Sequence, residues 1–177
     1  MVLERKERSN ASYALAHMHP GGVYMDGSIE PHPCAHGQES AMRAAIANAD
    51  GIQTEDIVYV SAHATSSIIG DDTELEAIER VFPRGALPYV NALKGYFGHF
   101  LTGAGLIECI AVVLQMKHDC IVPNVHCPNP CSDSPKLLQE TKHMVIKHAL
   151  NNSFGFAGFN TSLVLSRPEN EEVSETE

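Results

Sequence analysis

No stretch of the chain approaches the ~20 consecutive apolar residues that a membrane-spanning helix requires, so no span is expected. Positive charge is also scarce, with 12 Lys and Arg against 22 Asp and Glu and a formal net charge of -10. That balance argues against nucleic-acid binding through a phosphate-neutralising face and against anionic membrane surfaces. The N-terminal run Met-Val-Leu-Glu-Arg-Lys-Glu-Arg has no apolar core behind it and does not read as a signal peptide. Cys-x-x-Cys pairs are absent. The five cysteines, an odd number, follow no regular framework, which points to free thiols in a reducing, cytoplasmic compartment. The groups His32, Cys34, His36 and His126, Cys127, Cys131 match no common zinc spacing, so no metal is expected. No cysteine sits in a setting that suits a nucleophile, and that lack shapes the functional reading. There is no internal repeat.

What is present is an ordinary globular composition, 44% hydrophobic and 19% charged over 177 residues, enough for one domain with a real core. Ser12 to His17 is a candidate strand, and His19 to Gly37, rich in Pro, Gly and His, reads as a long loop. Ala41, Met42, Ala45, Ile46 and Ala49 form one stripe of a helix over 38–49 that Asp50-Gly51 ends. Ile57 to Ser61 is a compact buried strand. Asp71 or Asp72 is expected to cap a helix running to Phe82, with Leu75, Ile78, Val81 and Phe82 on its apolar face. Pro88 to Asn91 and Ile121-Val122-Pro123 are short extended pieces. The run 101–116 is apolar nearly all round, which predicts a helix buried on most sides. Gly103 and Gly105 within it predict close approach by another element. Glu108 is the one carboxylate in that run and needs a partner, for which Lys94 is the candidate. Ala149–Ser153 and the alternating Asn160–Ser166 predict a hairpin around a glycine-rich bend. The alternation of strands and helices predicts an α/β layered domain over 1–167, followed by a disordered acidic tail over 168–177.

Three strings carry the chemistry: Val-Ser-Ala-His-Ala-Thr-Ser-Ser (60–67), Asn-Ala-Leu-Lys-Gly-Tyr-Phe-Gly-His (91–99) and Asn-Ser-Phe-Gly-Phe-Ala-Gly-Phe-Asn (152–160). Each reads as a strand ending in a turn, where side chains are presented to a ligand. In this order they resemble the C-terminal half of the β-ketoacyl-acyl carrier protein synthases. The resemblance runs from about Tyr13 to Arg167, with Gly70-Asp71 and Glu74 also in register. It implies a thiolase-like half-fold, a mixed β-sheet layered with helices. It also implies a decarboxylative Claisen condensation of acyl and malonyl thioesters, in fatty acid or polyketide biosynthesis.

On that resemblance His63 and His99 are oxyanion-stabilising donors, Lys94 sets the field near His99, and Glu108 holds Lys94. The backbone N–H of Phe156 serves an oxyanion hole and its ring gates the acyl pocket. Thr65 and Ser67 contact the pantetheine arm of a carrier protein; no other cofactor is implied. The family's nucleophilic cysteine belongs to an N-terminal half with no counterpart here. The chain is therefore expected to be the C-terminal subunit of a split synthase, completed by a cysteine-bearing partner and pairing again into a dimer of heterodimers. The initial Met favours a subunit over a fragment. One alternative is a non-catalytic scaffold like a chain-length-factor subunit, and a weaker one is a thiolase acting on coenzyme A esters. Ala64, Leu93, Phe97 and Ala157 depart from the family pattern and bear on activity and substrate choice.

Overall fold

A computed structural model of the chain describes residues 1–8, 13–27, 32–132 and 136–168. The acidic tail predicted beyond Pro168 and residue 12 of the predicted first strand lie outside the described residues. In chain order the strands are β1 (His17–Met18), β2 (Gly22–Met25), β3 (Ile57–Ser61), β4 (Tyr89–Asn91), β5 (Cys120–Ile121), β6 (Lys136–Leu137), β7 (Lys142–His143), β8 (His148–Phe154) and β9 (Phe159–Ser166). The helices are α1 (Ala35–Ala47), α2 (Ile68–Val81), the single turn α3 (Lys94–Phe97) and α4 (Ala104–Lys117).

The main sheet runs β1-β9-β8-β3-β4-β6, with β2 also on β9. It is mixed: β3 lies parallel to both β4 and β8, whereas β8 and β9 form the antiparallel hairpin predicted from the sequence. β8 and β9 alternate their side chains between two separate cores. Leu150 and Val164 join Met42, Ala45, Ile78 and Phe82 beneath α1 and α2. Ala149 and Leu165 join Tyr59, Val112 and Met116 beneath α4. The result is a three-layer α/β arrangement.

Several boundaries differ from the sequence reading. The predicted loop 19–37 contains β2, and α1 begins at Ala35. β2 lies so close to α1 that a Cβ on Gly22 would sit 2.1 Å from the Ala41 carbonyl oxygen and 2.4 Å from the Ala45 nitrogen. α2 starts four residues before Asp72: Ser67 is its N-cap, and its hydroxyl accepts the Gly70 N–H at 3.2 Å. The predicted buried helix 101–116 is a turn of 3₁₀ helix over Leu101–Gly103 followed by α4. It is buried on one face only. Ala104, Glu108, Cys109, Val112, Gln115 and Met116 point inward, while Leu106 and Leu114 are 49% and 47% exposed. Of the two glycines, Gly105 is the one at a close approach, since a Cβ there would lie 2.8 Å from Ser153 Oγ on β8.

Candidate active site

Parallel strands β3 and β4 end side by side, Ser61 opposite Asn91, so the chain leaves both at the same edge of the sheet. His63 follows β3 by two residues, and Lys94 opens α3 three residues past β4. β8 is also parallel to β3 and carries Ser153 and Phe154 to that edge. Three segments remote in sequence thus meet at one end of the sheet.

His63 and His99 stand edge to face, ring centroids 5.7 Å apart at 86°. The Phe154 ring lies 5.8 Å from that of His63. The Lys94 ammonium is buried and has three acceptors: Glu108 Oε1 at 2.5 Å, His63 Nδ1 at 3.4 Å and the His63 carbonyl oxygen. An ammonium donates only, so Nδ1 of His63 accepts and its ring hydrogen is carried on Nε2. His99 Nδ1 accepts the Leu101 N–H at 3.3 Å, which leaves His99 in the same tautomer. The expected pairing of Lys94 with Glu108 is present. Lys94 does not bond His99, however; its hydrogen bonds go to His63, because α3 turns its first residue back under the end of β3.

Burial, then the positive charge of Lys94, then His99 push the His63 imidazole down to about 3. His99 is lowered by desolvation and by Lys94. Both rings are therefore neutral donors. Burial raises the Glu108 carboxyl, and the hydrogen bond and charge of Lys94 oppose the rise. Burial pushes the Cys109 thiol up to about 11, an inert thiol in the hydrophobic core.

Glu74 holds the loop that carries His63. It is 3% exposed and accepts the N–H groups of His63 and Ala64, each at 2.9 Å, and Asn152 Nδ2 at 3.0 Å. Desolvation raises its carboxyl; the hydrogen bonds from Ala64, Asn152 and His63 counter that. Sequence reasoning placed Glu74 in register but gave it no task. The signal was available, since Glu74 shares the buried stripe of α2 with Ala77, Ile78 and Val81.

A cavity of about 790 Å³ opens beside the histidines, and His63, His99, Thr65, Ser67, Phe154 and Phe156 line it. Thr65 and Ser67 are on its exposed side, with the Ser67 hydroxyl engaged in capping α2. The Phe156 ring is 82% exposed on the turn between β8 and β9, where Ala157 has φ 59°. No three His, Cys, Asp or Glu side chains converge as metal ligands among the described residues. The site brings together two neutral imidazole donors, an internal cation that fixes one of them, and an open cavity. That set suits stabilisation of a developing oxyanion on a bound carbonyl compound.

The family model of the β-ketoacyl synthase C-terminal domain matches residues 16–128. The chain belongs to the β-ketoacyl synthase family. The third string, 152–160, lies past that match but within longer alignments. The chain is 35% identical over 174 residues to the Bacillus subtilis polyketide biosynthesis malonyl-ACP decarboxylase PksF, covering 96% of this chain and 41% of that protein. It is 36% identical over 176 residues to 3-oxoacyl-[acyl-carrier-protein] synthase 2 of Staphylococcus aureus, covering 96% of this chain and 42% of that one.

Among solved structures, a β-ketoacyl synthase from Burkholderia phymatum superposes with a TM-score of 0.81 at 29% identity, over 88% of this chain and 38% of that one. The ishigamide ketosynthase/chain length factor does so at 0.78 and 29% identity, over 86% of this chain and 38% of that one. This synthase domain therefore spans about two-fifths of the length of these relatives. Its thiolase-like α/β fold is theirs. Among the described residues no helix is long and apolar enough to cross a membrane.

Proposed function

We propose that this chain supplies the decarboxylating half of a ketosynthase site and acts on malonyl and acyl thioesters carried by an acyl carrier protein. The observation that carries the reading is the pair of neutral imidazoles, 5.7 Å apart on the wall of the cavity, with Lys94 bonded to one of them. Loss of carbon dioxide breaks the bond between the malonyl carboxylate and the α-carbon. The electron pair passes onto the thioester oxygen as an enolate, and Nε2–H of His63 and His99 donates to it. A fixed donor aimed at such charge contributes about 3–4 kcal/mol in a dry site; His99 is exposed in this chain, so for it that value requires the partner to exclude water. Lys94 and Glu108 act as positioning residues, holding the donor tautomer of His63. In the condensation the enolate carbon then attacks the acyl thioester carbon, a C–C bond forms, and the thiolate of a partner's cysteine leaves. Thr65 and Ser67 receive the pantetheine arm, while the Phe156 N–H joins the oxyanion hole and its ring gates the acyl pocket. The cysteine-bearing chain is an N-terminal ketosynthase half, and the complex pairs again. On this reading the chain works in the cytoplasm.

In the reconstituted complex, His63→Ala or His99→Ala is expected to lower malonyl decarboxylation by about 100-fold or more. Unchanged decarboxylation would favour the scaffold role, and the ketosynthase/chain length factor likeness is what keeps that role in view. A second reading is malonyl decarboxylation without condensation. The similarity to PksF favours it, as does the fact that enolate stabilisation needs these histidines and no thiolate. Measuring carbon dioxide release against ketoacyl product in the same complex separates the two.

A further inference from the structure

We infer that Gln38 is the residue that takes a hydrogen-bond donor of the bound thioester. This rests on the cavity being a thioester site. Gln38 stands in the first turn of α1, is 3% exposed, and lines the same cavity as His63 and His99. Its Oε1 is buried and has no hydrogen-bond partner among the described residues. Its stripe neighbours are Ala41, Met42 and Ala45, so packing alone would be served by a leucine or methionine of similar volume. An enclosed amide oxygen without a donor opposes folding, and a ligand donor offsets that cost when it arrives.

Asp71 repeats the pattern. It lines the cavity from the first turn of α2; the backbone N–H groups of Ser66 and Thr65 donate to its carboxylate, while its buried Oδ1 has no partner among the described residues. The cavity thus offers donors at the two imidazoles and acceptors at Gln38 and Asp71. A ligand that matches it carries a carbonyl and, separately, an N–H or O–H. A thioester has two sources of such a donor: the amides and hydroxyls of a pantetheine arm, or a hydroxyl on the acyl group.

The test is binding of three probes to the full chain and to its Gln38→Leu and Gln38→Met variants. Butyryl-pantetheine carries donors only on the arm. The 3-hydroxybutyryl thioester of 2-methoxyethanethiol carries one only on the acyl group. The butyryl thioester of 2-methoxyethanethiol carries none. Either substitution is expected to weaken one donor-bearing probe about tenfold and to leave the donor-free probe within about twofold. The probe affected names the source. In the wild-type chain, which needs no variant to fold, the Gln38 side-chain amide signals in an NMR spectrum should move with that probe and not with the donor-free one.

Equal weakening of all three probes, or no change in any, overturns the assignment to Gln38 while leaving the thioester site standing. Failure of the wild-type chain, assayed together with its N-terminal half, to bind any probe overturns both.

Discussion

At the scale of the residue, the loop after β3 concentrates the unusual features. Ala64 has φ 31°, in the left-handed region that an L-residue enters at a cost of about 1–2 kcal/mol. The two hydrogen bonds that the His63 and Ala64 N–H groups donate to Glu74 hold it there. Backbone geometry at this position favours glycine, and the alanine leaves strain beside the candidate donor. Ala64→Gly is expected to raise stability by about 0.5–1 kcal/mol after the entropy cost of glycine is deducted. Denaturant midpoints at constant slope would show it.

His63 makes a second prediction. Its folded-state value of about 3 lies below the ordinary 6.5, so the unfolded chain takes up a proton that the folded chain refuses. Stability is thus expected to rise with pH between about 3 and 6.5, by up to ~1.4 kcal/mol per pH unit from this group, and to be flat in this contribution above that window. Urea titrations at about pH 5 and about pH 7.5 should show the difference, and His63→Gln should shrink it. The Lys94–Glu108 pair was legible beforehand because one carboxylate in an apolar run demands a partner. The bond from Lys94 to His63 was not. It depends on how α3 folds back beneath the end of β3, a strand far earlier in the chain, and no local pattern records that.

Elements were legible where they were long enough to show a period. β3 coincides with its prediction because five residues of compact apolar sequence bounded by polar turns have few alternatives. The β8–β9 hairpin was visible for the same reason. β6 and β7 have two residues each and carry no period, so no strand was expected there, while β1 and β5, also two residues each, only overlap the extended pieces expected at 12–17 and 121–123. β2 was hidden by the glycines, prolines and histidines around it. The start of α2 was misplaced because Asp71 and Asp72 are good capping residues, yet Ser67, four residues before Asp71, accepts the orphan N–H. The contact between β2 and α1 is backbone against backbone, and neither side can yield by rotating a side chain. Gly22→Ala is therefore expected to cost about 2–3 kcal/mol or to detach β2 from the sheet edge. Hydrogen exchange at residues 22–25 distinguishes the two.

At the scale of the whole molecule, α4 decides how this domain behaves. Its inner face closes one core, but Leu106 and Leu114 lie open on the outer side with Ile110 half-buried between them. The sequence showed that this helix is apolar nearly all round and that something must cover it; it did not show that this chain covers only one side. Exposed stripes of this kind mark interfaces. The chain alone is expected to self-associate in sedimentation runs. Leu106→Ser with Leu114→Ser should give a monomer with unchanged far-UV circular dichroism that no longer joins an N-terminal half. Monomeric wild-type chain would count against the split-subunit reading.

The sheet's pairing order also sets a timetable. β9, which follows every other strand in the sequence, is the template for β1, β2 and β8. Among the described residues, the strand that pairs with β1 and β2 lies some 140 residues further along the chain. The β1 and β2 edge of the sheet therefore closes only after the final hairpin is made, whereas β3, β4 and β6 can pair without it.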